Sequence, residues 1–172
     1  MTSNDSQHDA AANGQSHPPR SLPRRGRVVG IDYGTVRVGI ALSDPEQSIA
    51  SPYENYTRRG KVQDTKYFSQ LAQEERVALF VVGLPVHLDG RESEKSIEAR
   101  EFGRWLGETT GVDIEFYDER FTTAEAEQAL MAAEMTKKRR KKRRDMLAAQ
   151  IMLTAYLESG RHKTDDPGAI DD

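Results

Sequence analysis

The chain has no cysteine, which excludes disulfides and thiolate metal sites. It has four histidines. His8 and His17 fall in a polar leader and His162 follows the last expected helix. His87 alone stands in the region expected to fold, which argues against a histidine-rich zinc centre. Any metal here is expected to be a hard cation on carboxylates, magnesium or manganese. No apolar run approaches the roughly 20 residues of a membrane span. Residues 1–21 lack the apolar segment of a signal peptide, so the reading is a cytoplasmic protein with no membrane partner. Apolar residues are scarce before Arg27, too few to offset the entropy of ordering.

What is present fits one compact domain with tails. Of 172 residues, 36% are apolar and 31% charged, and the apolar ones cluster between Arg27 and Gly160, where a core is feasible. The expected division is a disordered tail over 1–26, a domain over 27–160 and a flexible acidic tail over 161–172. Strands are predicted at Arg27–Tyr33, Val36–Ser43 and, more weakly, Ser51–Thr57, joined by short links as an antiparallel meander. A helix follows over Val62–Arg76, with Phe68 and Leu71 turned inward. Val77–Gly83 is an unbroken apolar run, as for a strand covered on both faces. Ala99, Phe102, Trp105 and Leu106 recur at helical spacing within a helix over Glu92–Thr109 and are read as core. Val112, Ile114 and Phe116 alternate with acids to give another strand, and Thr122 with Glu125 forms a capping box that starts a helix. The last helix is predicted over Lys138–Ser159, with Met146, Ala149, Leu153, Tyr156 and Leu157 as its buried stripe. The sum is an α/β fold, a five-stranded mixed sheet with helices on both faces.

Four acids stand out by placement. Asp32 sits within the first strand, where an ionised carboxylate is costly unless something compensates it. The turn at Gly34-Thr35 could do so, and function and turn are weighed evenly there. Asp118 and Glu119 close the last strand, where a helix N-terminus would also favour them. Asp145 precedes the apolar stripe of the last helix. Ala148 and Ala149, three and four residues on, are small enough to let that helix approach the sheet. Taken alone, it is better read as pairing with Lys141. Converging carboxylates can hold two divalent cations about 3.5–4 Å apart for phosphodiester cleavage. Alternation puts Asp118 on the face of Ile114 and Phe116 and Glu119 on the other. Which of them points at Asp32 depends on the face the site occupies.

The charge is uneven. Lys137, Lys138, Arg139, Arg140, Lys141, Lys142, Arg143 and Arg144 form an unbroken basic run in a chain of net charge −3. Such a run on an acidic protein, next to a candidate ligand, points to a polyanion and to phosphates more than bases, since no aromatics interleave it.

Four segments together resemble the YqgF family, also called RuvX, of pre-16S rRNA nucleases similar to Holliday-junction resolvases. They are Gly30-Ile31-Asp32-Tyr33-Gly34 with Arg37, Gly39 and Ser43-Asp44; Val82-Gly83-Leu84-Pro85 with Gly90; Asp118-Glu119-Arg120 with Thr122-Thr123; and Asp145 with Ala148-Ala149. The resemblance spans about residues 27–158 and implies an RNase H-like sheet and a metal-dependent nuclease. It implies a role in maturing the 5′ end of pre-16S rRNA, with that RNA or the ribosomal particle as partner. It casts Asp32 as the first-strand catalytic carboxylate, Glu119 before Asp118 as the second, and Asp145 as the third. Asp32, Glu119 and Asp145 would hold magnesium or manganese, expected as two ions, and Arg37 would join the basic run in contacting nucleic acid. His87 stands where many members have Asn, and the basic run is denser than usual.

Other functions use the same residues. Asp32-Tyr33-Gly34-Thr35 also looks like the first phosphate loop of sugar kinases, actin and chaperone ATPases, which need a second such domain. The ordered region is too short for two. A non-catalytic RNA-binding assembly or transcription factor would use the basic run alone. A DNA four-way-junction resolvase would act as a dimer, and the sequence leaves monomer and dimer open.

Overall fold

The computed structural model describes residues 26–87, 89–122 and 137–164, and of residues 121, 137–144 and 161–164 the backbone only. All but the last residue of the tail expected over 1–26, most of that over 161–172 and, beyond Thr122, the helix expected from the Thr122–Glu125 box lie outside these residues. Five strands form one sheet: β1 (Arg27–Asp32), β2 (Arg37–Ser43), β3 (Ala50–Thr57), β4 (Val77–Leu84) and β5 (Asp113–Asp118). Their order is β3-β2-β1-β4-β5. The first three are an antiparallel meander, and β4 and β5 add in parallel to β1. This is the expected five-stranded mixed sheet.

Among the described residues three helices cover it: α1 (Lys61–Glu74), α2 (Glu94–Thr110) and α3 (Lys137–Thr164). Alternation along the strands divides the core. Val29, Ile31, Val38, Ile40, Phe80 and Val82 meet Phe68 and Leu71 of α1 and Ala99, Phe102 and Leu106 of α2. Val28, Ala41, Leu79 and Val81 meet Ala149, Met152, Leu153, Tyr156 and Leu157 of α3 on the other face. β4 is buried almost throughout, as its apolar run requires.

α2 starts where the Ser93 hydroxyl accepts from the Ser96 amide and stops at Gly111, whose φ of 70° a side chain would resist. α3 runs four residues beyond the expected flexible boundary, to Thr164. Gly160 does not end it, and Arg161, His162 and Lys163 are residue types favoured at a carbonyl end. A 3₁₀ turn over Glu119–Phe121 follows β5, too short to carry a periodic signal. None of the described helices is long and apolar enough to cross a membrane.

Candidate active site

The carboxyl ends of β1, β4 and β5 share one edge, where chain direction diverges toward β2 on one side and β4 on the other. Open α/β sheets bind ligands at such a divergence. Asp32 is the last residue of β1. It shares the α3 face with Val28 and Gly30, because side chains alternate along a strand. Its neighbour on β2 is Gly39. On β4, Ile31 pairs with Val82, which places Gly83 beside Asp32.

These glycines leave the space that the acids fill. A Cβ on Gly83 would stand 2.6 Å from Glu119 Oε1. One on Gly39 would stand 2.1 Å from the carbonyl oxygen of Asp145, and one on Gly30 would stand 3.0 Å from that of Ala149. The close approach of α3 therefore rests on glycines of the sheet as well as on Ala149, which is fully buried. Asp32, Glu119 and Asp145 line one cavity of about 440 Å³, with Arg37, Lys95 and Glu98 on its walls.

The charges are mutually costly. Burial first, then repulsion by Glu119 and Asp145, raises the Asp32 carboxyl to about 7, against the pull of the Lys95 ammonium. Glu119 is raised by burial and then by Asp118, again opposed by Lys95. The Gly34-Thr35 turn does not supply the compensation that Asp32 needs. Among the described residues Asp32 meets the negative charge of Glu119 and Asp145, only partly offset by Lys95.

Asp118 is placed differently. Its carboxylate accepts from the Arg120 amide at 2.9 Å and from the Arg120 guanidinium at 2.9 Å, which holds it below the usual Asp range. It caps the 3₁₀ turn that aims Glu119, and it does not line the cavity. Thr122 ends that turn, its hydroxyl donating to the Glu119 carbonyl. Asp44 is likewise outside, accepting from the amides of Ser48 and Ile49.

Lys95 was not singled out by sequence. It lies in the first turn of α2, where the helix dipole disfavours a cation, and it faces the two acids whose ionisation it favours. That misfit with the dipole was its only sequence signal. Residues 137–144, the basic run, form the start of α3 and lead directly into Asp145; their side chains lie outside the described ones.

The fit to a metal rests on donor chemistry. Three carboxylates from three elements are hard oxygen donors of the kind magnesium and manganese take. Burial and then their repulsion raise Asp32, and a bound cation would oppose that rise. As placed, no group of three or more such side chains among the described residues is close enough to hold an ion. The cavity that the three carboxylates line is where an ion would sit.

Comparison with known proteins gives a consistent result. A family model described as RuvX, Holliday junction resolvase, matches residues 26–159. A protein of Rhodopirellula baltica named "Putative pre-16S rRNA nuclease" is 46% identical over 142 residues, 83% of this chain and 82% of its own length. One of the same name from Syntrophomonas wolfei is 39% identical over 134 residues, 78% of this chain and 95% of its own. Among solved structures, RuvC of T. thermophilus in complex with a Holliday junction substrate superposes with a TM-score of 0.56. The identity is 14%, covering 81% of this chain and 97% of that one. At that identity the likeness is one of fold, the RNase H-like resolvase fold.

Proposed function

The chain belongs to the RuvX family, and on that premise we propose that it is a metal-dependent nuclease that hydrolyses RNA phosphodiester bonds in 5′-end maturation of pre-16S rRNA. The carrying observation is the meeting of Asp32, Glu119 and Asp145, from β1, the turn after β5 and α3, in one cavity at the carboxyl edge of the sheet. These three would hold one or two hard divalent cations. Such ions, when bound, supply Lewis-acid stabilisation of phosphoryl charge and make water more acidic.

The remaining residues bind and orient. Arg37 and Lys95 on the cavity wall contact the phosphates flanking the bond to be cut. Lys95 also eases ionisation of Asp32 and Glu119, against the burial and repulsion that oppose it, when the cavity holds no cation. Asp118, gripped by Arg120, fixes the turn that carries Glu119. The basic run at the start of α3 tracks the RNA backbone into the cavity.

The test is cleavage of a pre-16S rRNA 5′ fragment by the purified protein with magnesium, with manganese and with EDTA. Cutting with either metal and none with EDTA is expected. Binding without cutting under every metal condition would favour an RNA-binding assembly factor. The family description favours a second substrate, a DNA four-way junction, which belongs in the same assay.

Two further results are expected. Glu119→Gln should lower cleavage about 10²-fold or more, as loss of a group acting on developing charge does. Asp118→Asn should cost less than about tenfold and show chiefly as a stability loss of roughly 1–2 kcal/mol, the scale of a charge-assisted bond. Equal losses of activity would reassign the pair. Separately, replacing four cations of the run by Ala should flatten the dependence of log affinity on log salt by about 3 units, roughly 0.7–0.9 for each phosphate contact. An unchanged slope would remove the run from the interface.

A further inference from the structure

A second cavity, of about 550 Å³, adjoins the acidic one and shares Tyr33, Thr35 and Glu98 with it. Three aromatic rings stand in its walls. Tyr33 and Phe102 lie 5.2 Å apart between ring centroids, and Phe102 and Trp105 lie 5.4 Å apart. Phe102 is buried, whereas Tyr33 and Trp105 are only half-buried and keep ring surface open to the cavity. Arg58 lies over both Tyr33 and Phe102, 5.7 and 5.5 Å from their centroids. It is pinned there by the buried Asp64 carboxylate, 3.4 Å from its Nε. The cation is thus already paired within the protein, which leaves a flat, preset surface in place of a free phosphate anchor.

Resting on the nuclease reading, we propose that this cavity takes one unstacked nucleobase of single-stranded RNA, next to the phosphodiester in the acidic cavity, and prefers bases with an exocyclic amino group. Three features carry it. Aromatic and guanidinium faces are what a splayed base stacks on. The shared wall puts the next nucleotide within reach of the acidic cavity. Glu98 and Glu101 line the same space, and carboxylates there repel a phosphate while accepting N–H bonds from adenine or cytosine amino groups. Lys61, also on this cavity, is left to meet the following phosphate. The basic run lacks aromatics, so base contact is supplied from another part of the chain.

Trp105 is the only tryptophan of the chain, so its fluorescence reports directly on this cavity. The full chain, in EDTA, is titrated with three end-labelled hexamers: oligoadenylate, oligouridylate and an abasic ribose-phosphate oligomer. Anisotropy gives binding and Trp105 emission gives occupancy. Oligoadenylate should quench Trp105 and bind roughly 5- to 150-fold tighter than the abasic hexamer, the range of one stacked base, with oligouridylate weaker than oligoadenylate. Trp105→Leu should erase the advantage over the abasic hexamer, and Trp105→Phe should keep it. Equal binding of oligoadenylate and the abasic hexamer without quenching overturns the proposal. If the rRNA fragment is still cut, the nuclease reading stands. Oligouridylate binding as tightly as oligoadenylate overturns the amino-group preference. Failure of all three hexamers to bind overturns the base site, and absence of rRNA cleavage alongside it overturns the reading beneath as well.

Discussion

Asp32→Asn is expected to reduce metal-dependent cleavage of the rRNA fragment by about 10³-fold while making the metal-free protein more stable at pH 8. Both effects follow from one carboxylate. Burial and the charges of Glu119 and Asp145 raise Asp32 to about 7, against an ordinary value near 4 in the unfolded chain. A carboxyl raised on folding favours the protonated form in the native state. Its contribution to stability is complete below the unfolded value and is lost as pH rises through the folded one. In EDTA the wild type should therefore weaken between about pH 4 and pH 7. Asparagine keeps the shape without the charge and removes that slope. The gain at pH 8 is on the order of 2–4 kcal/mol, read from urea melts at pH 5 and pH 8. A variant that cuts like wild type would take Asp32 out of the chemistry. One that melts with the wild-type pH slope would remove the charge cost assigned to it.

Gly39→Ala should be nearly as damaging for a different reason. The added methyl would meet the Asp145 carbonyl oxygen at 2.1 Å and its carbon at 2.4 Å. Both are backbone atoms, so no rotamer change relieves the clash, and the start of α3 must lift from β2. Overpacking of this kind costs about 3 kcal/mol. A displacement near 1 Å in a positioned group costs about 10²-fold in rate. Cleavage measured at a temperature where the variant is fully folded separates the two. Wild-type stability would show that α3 can shift freely, and wild-type cleavage in the folded variant would show that the position of Asp145 does not matter.

The sheet and its two-sided covering were readable from period and length alone, because β4 is apolar throughout and α2 and α3 carry clean stripes. Element ends differ from the prediction by one or two residues at most sites, where capping and not pattern decides. Asp32 was conspicuous as an acid among Val28, Val29 and Ile31. The choice between Asp118 and Glu119 was not readable, since alternation gives each a face and only the packing of α3 says which face holds the cavity. Sequence suggested that Ala148 and Ala149 bring α3 close. The other half of that contact, Gly30 and Gly39, looks in sequence like ordinary strand glycine. Trp105 fell on the core stripe and does pack against Phe68 and Phe102. Its open side lines a cavity with Tyr33 and Arg58, contributed from the segments after β1 and β3, and no local pattern announces that.

The placement of Asp145 also bears on how the protein is made. Asp32 and Gly39 emerge from synthesis more than a hundred residues ahead of Asp145. Gln150, donating to the Ala50 carbonyl at 3.0 Å, closes a similar span. Contacts so distant along the chain form late. A nascent chain can pair β1 with β2 and β4 while it still lacks the third carboxylate and the basic run. On the proposed site, the cavity would lack its third carboxylate through most of translation and would be completed only when α3 docks.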